Sequence, residues 1–179
     1  MKLYVARHGR STFNDLRLLN DDPKVSAPLS ERGVEQAQEL RDTLKDVKFD
    51  RIFVSELIRT KQTADIVNEN RHIPVEIDAR LNDHRSGFNG QSYDVLDETL
   101  FAAEDMWTAR FNDGESIDDV IARIKDFLDE LKTKKYDTVL IVTSMYPVEA
   151  VHFLLTGLSK EEAWDLHVVQ GSYTVFELK

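Results

Sequence analysis

Apolar residues in this chain come in two kinds of run, short continuous ones and longer ones spaced at helical period. Leu3 to Ala6, Ile52 to Val54 and Val139 to Val142 are uninterrupted. Apolar runs of this length without polar alternation predict strands covered on both faces, as in a parallel sheet. Helical stripes stand between them. Val34, Ala37, Leu40, Leu44 and Val47 mark one face of a helix entered through Leu29 and Ser30. Ile117, Val120, Ile121, Ile124, Phe127, Leu128 and Leu131 keep 3, 4, 7 spacing without a break, with Ser116 and Asp119 as a capping-box-like start. Ser55, directly after the second strand, is predicted to cap a further helix. Pro147 suits the first turn of another, which Gly157 ends. Pro74 to Ile77 and Tyr173 to Leu178 add strands, and Lys160 to Leu166 a short helix. Strands alternating with helices predict an α/β fold, a three-layer α/β/α sandwich on a mostly parallel central sheet.

Two stretches break the rhythm. Residues 12 to 20 have room for one or two helical turns before a loop marked by Asn20-Asp21-Asp22-Pro23 and Ala27-Pro28. Residues 81 to 91 are irregular, and 94 to 110 contain helix-forming stretches of poor periodicity. A segment of this length between strands usually covers the active edge of a sheet, so about 81–113 is expected to be a lid-like insertion in one domain spanning 1–179. Substrate choice is expected to reside there.

Composition narrows the chemistry. The chain has 179 residues, 41% hydrophobic and 31% charged, which suits one globular domain with a substantial core. No apolar run approaches a membrane span, and Met1 leads directly into the first strand, so the expected location is cytoplasmic, with no membrane partner. Cysteine is absent, which excludes disulfides and thiolate nucleophiles. No His and carboxylate spacing suggests a metal, and no cofactor is expected. The net charge of −10 argues against nucleic acid and would repel a phosphorylated substrate at long range. Any anion site must then be a local cluster of arginines working against the global field.

The first strand ends at Arg7-His8-Gly9-Arg10-Ser11-Thr12, which places a guanidinium and an imidazole at the C-terminal sheet edge, where open α/β sheets keep their ligands. Ser11 or Thr12 can cap a helix whose free N–H groups favour an anion at the same place. This suggests phosphate chemistry. The stretch Arg7 to Asn14 resembles the signature of the histidine phosphatase superfamily, also called phosphoglycerate mutase-like. Four further segments agree in order: Leu29-Ser30-Glu31-Arg32-Gly33 with Gln36-Ala37, the string Ser55 to Ala64, Leu81 to Gly87, and the strand ending at Val142.

The resemblance implies a phosphomonoester hydrolase in which His8 is phosphorylated on a ring nitrogen. Neutral imidazole attacks phosphorus well, and its second nitrogen can be fixed by a backbone carbonyl. Arg7 and Arg59 would each offer a planar fork to phosphoryl oxygens, with Asn14 an uncharged donor. Arg10 stands where many family members carry Glu or Gln. It either adds charge at the pocket mouth or is simply solvated. In the segment that supplies the family's proton donor this chain has Asp83, one methylene shorter than the usual glutamate, and His84 is the substitute candidate.

The main departure lies after the strand 139–142, where the family normally has His-Gly and this chain reads Ser144-Met145. Losing one preorganised donor typically costs on the order of 3 kcal/mol, roughly a hundredfold in rate. Ser144 is an introduced substitution, or a natural one in a slower phosphatase with water or His84 filling the gap, or the mark of a silent phospholigand-binding protein. A cofactor-dependent phosphoglycerate mutase shares the apparatus, though family mutases of that type are generally longer. The expected ligand is a small phosphorylated metabolite or phosphate; the sequence leaves its identity and the oligomeric state open.

Overall fold

The computed structural model describes residues 1–179. Strand β1 (Lys2–Arg7) leads through a single turn, α1 (Thr12–Asp15), to helix α2 (Glu31–Leu44), strand β2 (Arg51–Val54) and helix α3 (Ile58–Val67). Strand β3 (Val75–Ile77), a 3-10 turn (Ala79–Leu81) and helix α4 (Tyr93–Ala102) follow. Helix α5 (Ile117–Lys132), strand β4 (Thr138–Thr143), helices α6 (Met145–Thr156) and α7 (Lys160–Trp164) and strand β5 (Tyr173–Glu177) complete the chain. The strands form one sheet in the order β3-β2-β4-β1-β5, parallel except for β5. This is the predicted three-layer α/β architecture.

Side-chain parity divides the core between two faces. Leu3 and Val5 of β1 and Val139 and Ile141 of β4 pack under α5 and α6, whereas Ala6, Leu140 and Val142 face α2 and α3. All seven stripe residues of α5 are buried. Each such side chain contributes roughly 1.5–3 kcal/mol of gross burial energy, which fixes α5 on the sheet. Ser116 and Asp119 make the predicted capping box, and Gly157 ends α6 in the left-handed conformation.

The parallel arrangement has one consequence for function. β1, β4 and β2 all end on the same edge, so His8, Ser144 and Ser55 leave the sheet side by side. The turn after β1 is held there by an unusually close backbone approach. A Cβ on Gly9 would lie 2.3 Å from the Gly33 carbonyl oxygen, and one on Gly33 only 1.9 Å from that of Arg10. Two glycines from separate motifs are thus required at one crossing, where the loop carrying His8 passes over the first turn of α2.

One local expectation changes. Ser55 does not cap the helix: α3 starts three residues later at Ile58, with Leu57 at the cap position and no side-chain cap bond. The Ser55 hydroxyl instead pairs with Thr60 Oγ1 at 2.7 Å and accepts the Leu57 N–H, using its hydrogen bonds to brace the turn. Of the one or two turns expected over 12–20 the chain forms one, α1, capped by Ser11, after which Arg17 adopts a left-handed φ of 56°. No helix is long and apolar enough to cross a membrane.

Candidate active site

His8 is 2% exposed and held at both ring nitrogens. Nδ1 lies 2.6 Å from the carbonyl oxygen of Gly9, which assigns its proton to Nδ1, and Nε2 accepts from Arg59 Nε at 2.9 Å. Burial, then the Arg59 and Arg7 charges, pushes the imidazole well below its usual pKa, against the opposing bond to Gly9. The ring is therefore neutral, with its lone pair on Nε2 beside two guanidinium groups.

Arg59 arrives from the first turn of α3 and is 3% exposed. Its Nη1 donates to Asn20 Oδ1 at 2.6 Å, and its Nη2 to the Asn20 carbonyl at 2.9 Å and Asp83 Oδ2 at 3.0 Å. The Ser144 hydroxyl lies 3.4 Å from Nη2. The fork thus gathers the turn after β1, the loop at Asn20, the segment after the 3-10 turn and the end of β4 around one charge. Arg7, of the same parity as Leu3 and Val5, projects toward the α6 face. Its Nη1 donates to the Val168 carbonyl at 2.5 Å, while its Nε is buried without an acceptor. A buried guanidinium N–H without a partner is costly in water-excluded surroundings and suits an anion oxygen.

A cavity of about 230 Å³ opens beside these groups, lined by Arg7, His8 and Asn14, by Asp83, Tyr93 and Asp97, and by apolar residues including Met145 and Tyr146. Asn14 closes the capping box of α1 and donates to the Tyr93 hydroxyl at 2.6 Å. Asp83 lines the same cavity, one oxygen on Arg59 and the other accepting the His84 N–H at 2.9 Å. Ser144 is fully buried at the start of α6, and its hydroxyl makes no cap bond.

His8, Arg7, Arg59, Asp83, Asn14 and Ser144 therefore converge. Arg10 and His84 do not reach the cavity. Arg10 turns outward into an ion pair with Asp15, which corresponds to the solvated alternative. His84 is buried behind Asp83, its Nε2 2.8 Å from the Glu115 carbonyl and its ring centre 4.8 Å from that of Tyr146, tilted by 39°. Packing of the 81–91 loop against α5 and α6 draws that imidazole into the wall.

Three participants escaped the sequence reading. Asn20 looked like a loop marker and is in fact 7% exposed on Arg59. Tyr93 carried no local signal. Glu149 did carry one, a carboxylate within the apolar run Val148-Glu149-Ala150-Val151. It is fully buried, and neither oxygen has a hydrogen-bond partner. Burial pushes it up to about 8, with Arg7 opposing and Asp83 reinforcing the shift.

A sequence model of the histidine phosphatase superfamily, branch 1, matches residues 3–179. The chain is 29% identical over 189 aligned residues to the adenosylcobalamin/alpha-ribazole phosphatase of Escherichia coli (strain K12), covering 99% of this chain and 90% of that protein. It is 28% identical to phosphoserine phosphatase 1 of Hydrogenobacter thermophilus, covering 100% of this chain and 87% of that protein. The crystal structure of the alpha-ribazole phosphatase from Shigella flexneri superposes with a TM-score of 0.84 at 30% identity, over 98% of this chain and 89% of that one.

Proposed function

The chain belongs to the histidine phosphatase superfamily, branch 1, and we propose that it is a phosphomonoester hydrolase working through a phosphohistidine on His8. The observation that carries this reading is the neutral imidazole, fixed at Nδ1 by Gly9 with its Nε2 lone pair beside two arginines. On substrate binding, the Arg59 Nε–H now held by Nε2 passes to a phosphoryl oxygen, and Arg7 brings its unpartnered Nε–H to another. Nε2 then attacks phosphorus, the ester P–O bond breaks, and the leaving oxygen takes a proton from Asp83. Water next attacks the phosphohistidine, gives its proton back to Asp83, and the P–N bond breaks to release phosphate.

Residues 81–113 serve as the cover in this scheme, within one domain spanning 1–179. Asp83, Tyr93, Leu96 and Asp97, all from that segment, line the cavity, which supports the assignment. The named relatives are an adenosylcobalamin/alpha-ribazole phosphatase and a phosphoserine phosphatase, which favours a small phosphorylated metabolite here. Ser144 sets the rate. Its hydroxyl at 3.4 Å from Arg59 offers a weak, uncharged contact where an imidazole donor would stand, so turnover is impaired. The same observation favours a second reading, a phospholigand-binding protein without turnover.

Phosphate release from a panel of phosphomonoesters, with this chain and its Ser144→His variant side by side, separates the two. The phosphatase reading expects a gain of roughly a hundredfold in the variant. It also expects His8→Ala to abolish release in both backgrounds. Equal inertness of both chains, while phosphate still binds, leaves the binding reading.

A further inference from the structure

Next to the cavity at His8 lies a second one, of about 400 Å³, and the two share Asp97, Met145 and Tyr146 as a common wall. A substrate with its phosphoryl group at His8 therefore continues most broadly past Tyr146 into this space, since the larger cavity on the other side, of about 470 Å³, shares only Asp83 with it. Its lining combines two chemistries. Trp107 and Trp164 meet edge to face at 5.3 Å, and Tyr146 meets Trp164 at 5.9 Å, so three rings stand at steep angles to one another. Around them are four carboxylates, Asp97, Glu149, Glu161 and Asp165, and no lysine or arginine belongs to the lining.

Glu149 makes this more than an acidic patch. The residue is completely buried in the cavity wall, and both of its oxygens lack partners. A polar group left in that condition costs free energy, which a complementary ligand would recover. A neutral aromatic leaving group would fill the rings and leave Glu149 as it is. An anionic one would meet Asp97, Glu161 and Asp165 within a chain of net charge −10. A cation satisfies both features, since aromatic faces attract positive charge and a cation offsets the desolvation that disfavours the Glu149 carboxylate. Three basic residues stand nearby: Arg7, whose charge acts on Glu149 from the neighbouring cavity but whose Nη1 is tied to the Val168 carbonyl, His167 in the lining itself, and Lys160, whose ammonium sits 5.6 Å from the Trp107 ring centre but is tied to Asp118 outside the lining.

We propose that this cavity is a subsite for a positively charged, partly apolar leaving group, so that the preferred substrate is the phosphomonoester of an amino or quaternary-ammonium alcohol. The proposal rests on the phosphatase reading for the orientation of the substrate. It also resolves the electrostatic conflict in the sequence: a zwitterionic ester carries its own compensation into an acidic protein.

The test compares phosphocholine with 3,3-dimethylbutyl phosphate, its uncharged isostere. The chain's two tryptophans both line the cavity, so intrinsic fluorescence reports occupancy without any need for turnover. The expected result is a change in tryptophan emission and binding of phosphocholine at least about tenfold tighter than the isostere. Glu149→Gln narrows that ratio. Asp97→Asn, at an exposed position, narrows it too and covers the case in which the buried variant fails to fold. Equal affinity for the two esters, or phosphocholine binding that leaves the tryptophans unaffected, overturns the proposal. Phosphate release measured on the same pair keeps the two readings apart. Equal hydrolysis of both esters removes the cationic subsite and leaves the phosphatase standing. Preferential binding of phosphocholine without release from either ester does the reverse.

Discussion

Replacing Arg59 separates its two roles, as a charge beside His8 and as the fork that gathers four segments. Arg59→Met removes both. Asp83 and the two Asn20 acceptors lose their donor in a site where the arginine is 3% exposed. Breaking a buried charged pair in this way costs about 3–5 kcal/mol. In a protein of 179 residues that corresponds to a fall in Tm of about 10 °C. The His8 imidazole should also become easier to protonate, because Arg59 is the largest charge opposing its cationic form. It should still titrate below an ordinary histidine, since burial is the first cause of the shift and remains. Arg59→Lys keeps the charge and loses the planar fork, so it should lower Tm while holding His8 nearly as low as the native chain does. Thermal unfolding gives the first quantity, and NMR titration of the His8 ring nitrogens gives the second. A His8 titration unmoved in Arg59→Met would refute the electrostatic argument. A Tm unmoved in both variants would refute the structural one.

Two further predictions concern stability. Glu149 is shifted from 4.5 to about 8 on folding, so the native state holds a proton that the unfolded chain loses first. Stability should therefore be highest below about pH 4.5 as far as this group is concerned, and should decline as pH rises toward 8. Glu149→Gln should flatten that decline, by at most about 5 kcal/mol at the alkaline end, when unfolding free energies are compared across the range; parallel pH profiles would contradict it. Gly33→Ala puts a Cβ 1.9 Å from the Arg10 carbonyl oxygen, in backbone that has no flexible end to yield. It should cost about 3 kcal/mol or more in a denaturant titration and displace the turn carrying His8. An alanine tolerated there without loss of stability would mean that the two backbones separate freely.

Much of this protein is decided locally and was legible in its residues. The uninterrupted apolar runs of β1, β2 and β4, the stripe of α5 and the position of Arg7 and His8 at a strand end all follow from period and burial, which neighbouring residues set among themselves. The string Ser55 to Ala64 likewise carried Arg59 to the right sheet edge, although the hydroxyl of Ser55 braces a turn where a helix cap was expected. The meaning of Gly9 and Gly33 was a different matter. Each looked like a motif residue, and only the crossing of their backbones explains both. The partners of charged side chains were equally out of reach. Arg10 chooses Asp15, His84 turns to Glu115, Asn20 comes 39 positions along the chain to meet Arg59, and Glu149 is left facing a cavity of aromatic rings. A repeating pattern records which side of an element is buried, because that is a property of consecutive residues. It holds no record of which distant group arrives on that side, because that depends on where the packed layers bring separate segments together.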